Sequence, residues 1–134
     1  GTVRTWNKKT RDFIAERLSQ MGGRIGSAYG ASISIEYTPG NPAVVNDEAV
    51  TRVAARAIEK TLGKEAAGTY HGTLSGEDFA EYLQYVPGVF VFTGINNPDI
   101  GAIHPQHSCL YRIDESVLAP GATVAAQWAL DMLS

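Results

Sequence analysis

The sequence predicts an α/β chain, an α+β piece in two incomplete parts, and three observations carry that expectation. Stretches of period-two hydrophobicity alternate with stretches of helical period along all 134 residues. Pro39-Gly40-Asn41-Pro42 is the strongest interruption and sets a boundary at 40–45. The part before it reads as only strand, helix and strand, too little to bury a core alone. The part after it reads as helix, strand, helix, strand, loop and helix.

Each element has a local reason. Residues 2–6 alternate as a short strand, with Val3 on one face and Arg4 and Trp6 on the other. Thr10 opens a helix to about Ser27, in which Ile14, Leu18, Met21 and Ile25 form one stripe. Gly22, Gly23 and Gly26 weaken its last turns by up to about 1 kcal/mol each relative to Ala, and permit close packing on a sheet. Ile33 and Ile35 alternate with Ser32, Ser34 and Glu36 in a second strand, 31–37. Asn46 reads as the N-cap of a helix to about Leu62, with Asp47 and Glu48 at its positive end and Gly63 as its stop. Residues 65–70 read as a short strand. Ser75-Gly-Glu-Asp78 has capping-box spacing before a short helix through Phe79, Tyr82 and Leu83, ended by Pro87. Residues 88–94 have the composition of a strand covered on both faces. A loop follows from Asn96 to His107, and a helix over 117–133 closes the chain.

Charge and composition narrow the function classes. With 11 Lys+Arg against 14 Asp+Glu, the formal charge of −3 offers no general attraction to phosphate backbones, so nucleic acid is not expected as a partner. A hydrophobic content of 44% argues against disorder. No apolar run approaches the roughly 18 residues of a membrane helix, and Gly1 begins directly on a strand pattern without a signal-peptide signature, so a cytoplasmic, membrane-free protein is expected. The single cysteine, Cys109, excludes an internal disulfide and a multi-thiolate metal site.

Few residues carry obvious chemistry. There is no phosphate loop, no Gly-x-Gly-x-x-Gly and no Gly-x-Ser-x-Gly elbow. His104 and His107 share a loop after the apolar 88–94 strand, whereas His71 stands apart. An isolated His-x-x-His reads more simply as two exposed loop histidines, because catalytic zinc needs three protein ligands and an open position. Glu77 and Asp78 read as acids favourable at a helix start. Cys109 reads as an inert thiol, since a Cys–His pair normally converges from separate segments. Arg4 reads more simply as a surface arginine paired with an acidic neighbour, although it could grip a carboxylate with its bidentate fork if its strand faced a cleft. Trp6, Phe13 and Trp128 read as packing residues.

The order of the motifs is informative. Gly-Thr-Val-Arg-Thr (1–5), Ser-Ile-Ser-Ile-Glu-Tyr (32–37), Pro-Ala-Val-Val-Asn-Asp (42–47), Ser-Gly-Glu-Asp-Phe-Ala (75–80), Pro-Gly-Val-Phe-Val-Phe-Thr-Gly (87–94) and Pro-Gln-His-Ser-Cys-Leu-Tyr-Arg-Ile-Asp-Glu (105–115) follow one another. Together they resemble the C-terminal part of a metal-dependent amidohydrolase or metallopeptidase of the aminoacylase, hippurate hydrolase and indoleacetyl-amino-acid hydrolase family. Glutamate carboxypeptidases and succinyl-diaminopimelate desuccinylases are distant relatives. The resemblance implies that 1–41 is the second half of a ferredoxin-like lid or dimerisation domain. It implies that 42–134 is the C-terminal part of an α/β catalytic domain holding two metal ions.

The family's Pro-x-His-Ser-Pro segment maps onto Pro105-Gln106-His107-Ser108, so the resemblance implies that His107 is a metal ligand. Cys109 stands where Pro is common and Tyr111 where Phe or Tyr occurs, and neither change removes a ligand. His104 matches no ligand position. The remaining ligands and the general-base glutamate of such enzymes lie in His-x-Cys-Gly-His-like and Glu-Glu segments that these residues do not include. The implied parent hydrolyses the amide bond of an N-acyl amino acid with two zinc, manganese or cobalt ions and assembles as a homo-oligomer. The resemblance implies a basic lid residue that holds the substrate carboxylate, and Arg4 is the candidate for it, on weaker grounds than His107 for the metal. The 134 residues alone are expected to be inactive and to hold no ion tightly. The alternative from another class is a non-catalytic α+β dimerisation or ligand-binding module, since an unpaired strand edge invites pairing.

Overall fold

The computed structural model describes residues 1–134 and contains four α-helices. These are α1 (Lys8–Ala28), α2 (Glu48–Leu62), α3 (Phe79–Tyr82) and α4 (Leu118–Leu133), with short 3-10 turns at Lys64–Ala66, Pro98–Ile100 and Glu115–Val117. No helix is long and apolar enough to cross a membrane. The chain forms two compact units. One comprises Gly1–Val45 with Gly72–Pro87, and the other Asn46–His71 with Gly88–Ser134. The boundary read at 40–45 lies beside the first of these divisions. Residues 72–87, read with the second part, pack with the first segment.

The expected strands are absent, which corrects the α/β expectation. Segments 2–6, 31–37, 65–70 and 88–94 form no ladder, and the sole β-bridge joins Asn97 to Ala102. The physical reason is that period-two patterning prepares a segment to pair, whereas a ladder also needs a neighbouring backbone. A ferredoxin-like sheet is therefore not formed within these residues.

In the first unit, Asn7 caps α1 by accepting from the Thr10 amide at 2.8 Å. The helix stops where Gly30 turns to φ +66°. Close approach at Gly22 and Gly26 is real, but its partner is the 31–37 segment, which forms no sheet. A Cβ on Gly26 would stand 2.8 Å from the Ala31 carbonyl oxygen and 3.0 Å from Ile33, and one on Gly22 would stand 2.7 Å from Ile35. Ile33 and Ile35 thus keep their alternation and turn to the helix. The stripe expected to face a core is mostly exposed at Leu18, Met21 and Ile25, because no layer covers it here. Trp6 lies against Gly72, and the Asn41 amide donates to Asp78 at 3.2 Å. The Ser75 capping box does not form: the Phe79 amide bonds to Glu77 at 3.1 Å instead.

In the second unit, α2 packs against α4 through its i, i+3, i+4 stripe of Val50, Ala54 and Ala57, all buried. Small residues at the contact let two helices approach closely. Asp47, one residue later than expected, is the N-cap of α2, accepting from the Val50 amide at 2.9 Å, and Gly63 ends the helix at φ +89° as anticipated. Lys60 and Asp131 join the far ends of the two helices at 2.6 Å, and that bond holds the Asp131 carboxyl below its usual range against the opposing effect of burial. Pro120 sits in the first turn of α4, where a missing amide hydrogen leaves no intrahelical bond unmade.

Candidate functional site

His107 lies at the tip of the loop that joins residue 95 to residue 114. Its backbone has φ +68°, the only non-glycine residue of the chain in the left-handed region. The cause is a turn: the Ser108 amide donates to the Pro105 carbonyl at 3.2 Å, placing His107 at the third position. With positive φ there, the turn follows the type II pattern, whose third position normally takes glycine or asparagine. A bulky residue in that conformation is strained, and such strain concentrates at functional sites. The next turn begins at once, with the Tyr111 amide on the Ser108 carbonyl at 3.1 Å and the Leu110 amide on Ser108 Oγ at 3.1 Å. The result is an exposed imidazole on a tightly folded tip.

The other candidates are placed as follows. His104 is half-buried three residues before, and the thiol of Cys109 is exposed two residues after. His71 is exposed outside the loop. Glu77 and Asp78 serve the start of α3 and the bond to Asn41. Arg4, in the first unit, donates from its guanidinium to the Leu74 carbonyl at 3.2 Å, and a Cβ on Gly76 would lie 3.3 Å from the same nitrogen. One of its N–H groups is thereby engaged; the fork retains others for a ligand.

Metal binding can be tested on the donor set. No three His, Cys, Asp or Glu residues gather into a cluster able to hold an ion. His107 has the chemistry and exposure of one donor to a shared shell, and these residues supply no second or third beside it.

The base of the loop is more heavily bonded than its tip. The Asp114 amide donates to the Ile95 carbonyl at 3.1 Å, and the Asn97 side-chain amide donates to Asp114 Oδ2 at 2.7 Å. Asp114 Oδ1 accepts from the Ser116 hydroxyl at 2.6 Å and its backbone amide at 3.0 Å. The Ser116 hydroxyl, the Asn97 amide and the Ser116 backbone hold the Asp114 carboxyl below its ordinary range, against a smaller effect of burial. Sequence reasoning missed Asn97 and Asp114. Asn97-Pro98 is a turn signal, but nothing local pairs it with an acid 17 positions away.

Comparison with known proteins bears on the whole chain. The peptidase family M20/M25/M40 matches residues 6–131. The N-acetylcysteine deacetylase of Bacillus subtilis is 33% identical over 134 residues, covering 98% of this chain and 32% of that protein. Thermostable carboxypeptidase 2 of Saccharolobus solfataricus is 28% identical over 131 residues, 97% of this chain and 33% of its own length. IAA-amino acid hydrolase ILR1-like 2 of Arabidopsis thaliana is 27% identical over 137 residues, 99% of this chain and 30% of its own. The chain thus spans about a third of the length of the curated relatives it matches. No solved structure matches it.

Proposed function

Because the chain belongs to peptidase family M20/M25/M40, we propose that it is the C-terminal part of a hydrolase that cleaves the amide bond of N-acyl amino acids. The family resemblance drawn from the ordered motifs is established. The narrower substrate reading is supported by two relatives' names, each describing an acyl group joined to an amino acid.

The observation that carries the site is His107 at φ +68° on an exposed turn, where conformation alone favours glycine. On this reading His107 offers a ring nitrogen as one ligand of a two-ion centre whose other ligands lie outside these residues. When bound, the ions polarise the scissile carbonyl and lower the pKa of a water. On the same reading Arg4 uses its remaining N–H groups to bind the substrate carboxylate. Residues 1–41 belong to the lid that carries Arg4, and 42–134 return to the catalytic domain that carries His107. His104 and Cys109 have no ligand role.

The test uses the full-length parent with hippurate and N-acetyl amino acids as substrates and elemental analysis for metal. His107→Ala is expected to lose metal and nearly all turnover, whereas His104→Ala and Cys109→Ala keep most of both. A metal-replete His107→Ala protein with normal turnover overturns the site. A parent lacking the upstream His, Cys or Asp, and paired Glu residues would favour the non-catalytic module.

A further inference from the structure

The tip that bears His107 is itself bonded only through its own tight turns, so its placement depends on the neck of the loop. Two side chains close that neck. Asn97 is bonded on every side: its backbone amide and carbonyl pair with those of Ala102, both at 2.9 Å, and its side-chain oxygen accepts from the Asp99 amide at 3.1 Å. Its side-chain nitrogen then reaches across the neck to Asp114 at 2.7 Å. Asp114 divides its two oxygens, one toward Asn97 and one toward Ser116 in the 3-10 turn that leads into α4. Ala102, opposite Asn97, is 3% exposed, so the first half of the loop is anchored inside the unit. A second, longer tie runs from the Arg112 guanidinium to the Ile100 carbonyl at 3.4 Å.

We propose that Asn97 and Asp114 form a clasp that positions His107, acting through the loop and touching neither substrate nor ion. The proposal rests on the reading of His107 as a metal ligand. The clasp links the imidazole to the start of α4, so the ligand is held by the α2–α4 pair rather than by a free loop. Hydrogen bonds made directly to a metal-ligating side chain typically change affinity by about 10–100-fold, and a clasp that acts through the loop is expected at the low end of that range.

The clasp can be broken and remade without changing the atoms near His107. In the full-length parent, Asn97→Asp sets a second carboxylate against Asp114 and repels it. The exchanged double variant, Asn97→Asp with Asp114→Asn, restores one amide donor facing one carboxylate, and the new amide oxygen at position 114 still accepts from Ser116. Hydrogen exchange of backbone amides in 103–111 should accelerate roughly tenfold in the single variant and return toward the parent in the double. The affinity for zinc should fall and recover in parallel. Exchange unchanged in the single variant, or equally fast in both, overturns the clasp. Where exchange responds and zinc affinity does not, His107→Ala separates the two readings. If that variant loses zinc, the positioning role is overturned. If it keeps zinc, the ligand reading of His107 is overturned, and the clasp stands only as a closure of the loop.

Discussion

Asn46 holds Phe90 by both of its backbone polar groups. Its side-chain nitrogen donates to the Phe90 carbonyl at 3.0 Å, and its side-chain oxygen accepts from the Phe90 amide at 2.8 Å. A primary amide carries the same donor and acceptor as a peptide group, so one side chain does for Phe90 what a neighbouring strand would do. Beside it, the Asp47 amide donates to the Gly88 carbonyl at 2.9 Å. The apolar 88–94 segment is therefore tied to the start of α2 at two successive residues.

Asn46→Ala in the full-length parent should cost about 1–2 kcal/mol, the range for losing two hydrogen bonds with solvent nearby. Asn46→Asp should cost at least as much, because it sets a carboxylate oxygen against the Phe90 carbonyl where the amide donor was. Chemical denaturation measures both.

At His107 two truncations should differ in stability. His107→Gly should be more stable than His107→Ala by about 1 kcal/mol, since glycine accepts φ +68° without the strain that a Cβ brings. Both should lack activity. Equal stabilities would show that the turn relaxes when the imidazole is removed.

Two glycines of α1, Gly23 and Gly26, should respond oppositely. Gly26→Ala pushes a methyl to 2.8 Å from a backbone oxygen and should destabilise by about 1–3 kcal/mol. Gly23→Ala meets nothing within 4 Å and should stabilise by about 0.5–1 kcal/mol. Thermal melts of the two variants decide the matter.

Acid should weaken the second unit through Asp114 and Asp131. Both carboxyls titrate below the ordinary value of 3.8. Groups depressed on folding contribute stability that is full above the unfolded pKa and is lost as pH falls through the folded pKa. Melting temperature should therefore be flat near neutrality and fall below about pH 4. Lys60→Met removes the main cause of the Asp131 shift and should flatten part of that limb.

The isolated 134 residues should bind hydrophobic dye, self-associate at micromolar concentration, and show neither tight zinc binding nor hippurate hydrolysis. The motive is a core limited to five small or medium residues while Tyr29, Tyr85 and Leu133 are each at least 85% exposed. Light scattering, dye fluorescence and calorimetry would measure this. A dye-silent monomer would show that the apolar surface is tolerated in water.

What could be read from the sequence divides along the range of the interactions. Helices α1, α2 and α4 were legible because their periodicity and stop signals, such as Gly63, act within a few residues. Asn46 was misassigned because two adjacent residues both suit an N-cap, and only the position of Phe90 decides between them. The segments around Val3, Ile33 and Val91 carry strand chemistry, yet none of them pairs into a ladder. At the site, the Pro-Gln-His-Ser motif singled out His107. Its left-handed backbone and the Asn97–Asp114 clasp depend on bonds that local composition does not encode.

The interleaving of the two compact units bears on how the chain is made. The polypeptide leaves the first unit after Val45, returns at Gly72, and leaves again after Pro87. Emerging from a ribosome, the first segment must wait while the residues that build α2 pass by, since Gly72 and Leu74 arrive later to meet Trp6 and Arg4. The second unit waits longer still, because α2 is complete well before α4 exists to cover it. A protease cut at the Pro39–Pro42 break would likewise leave the returning segment on the downstream product, so neither unit could be excised whole by a single cleavage there.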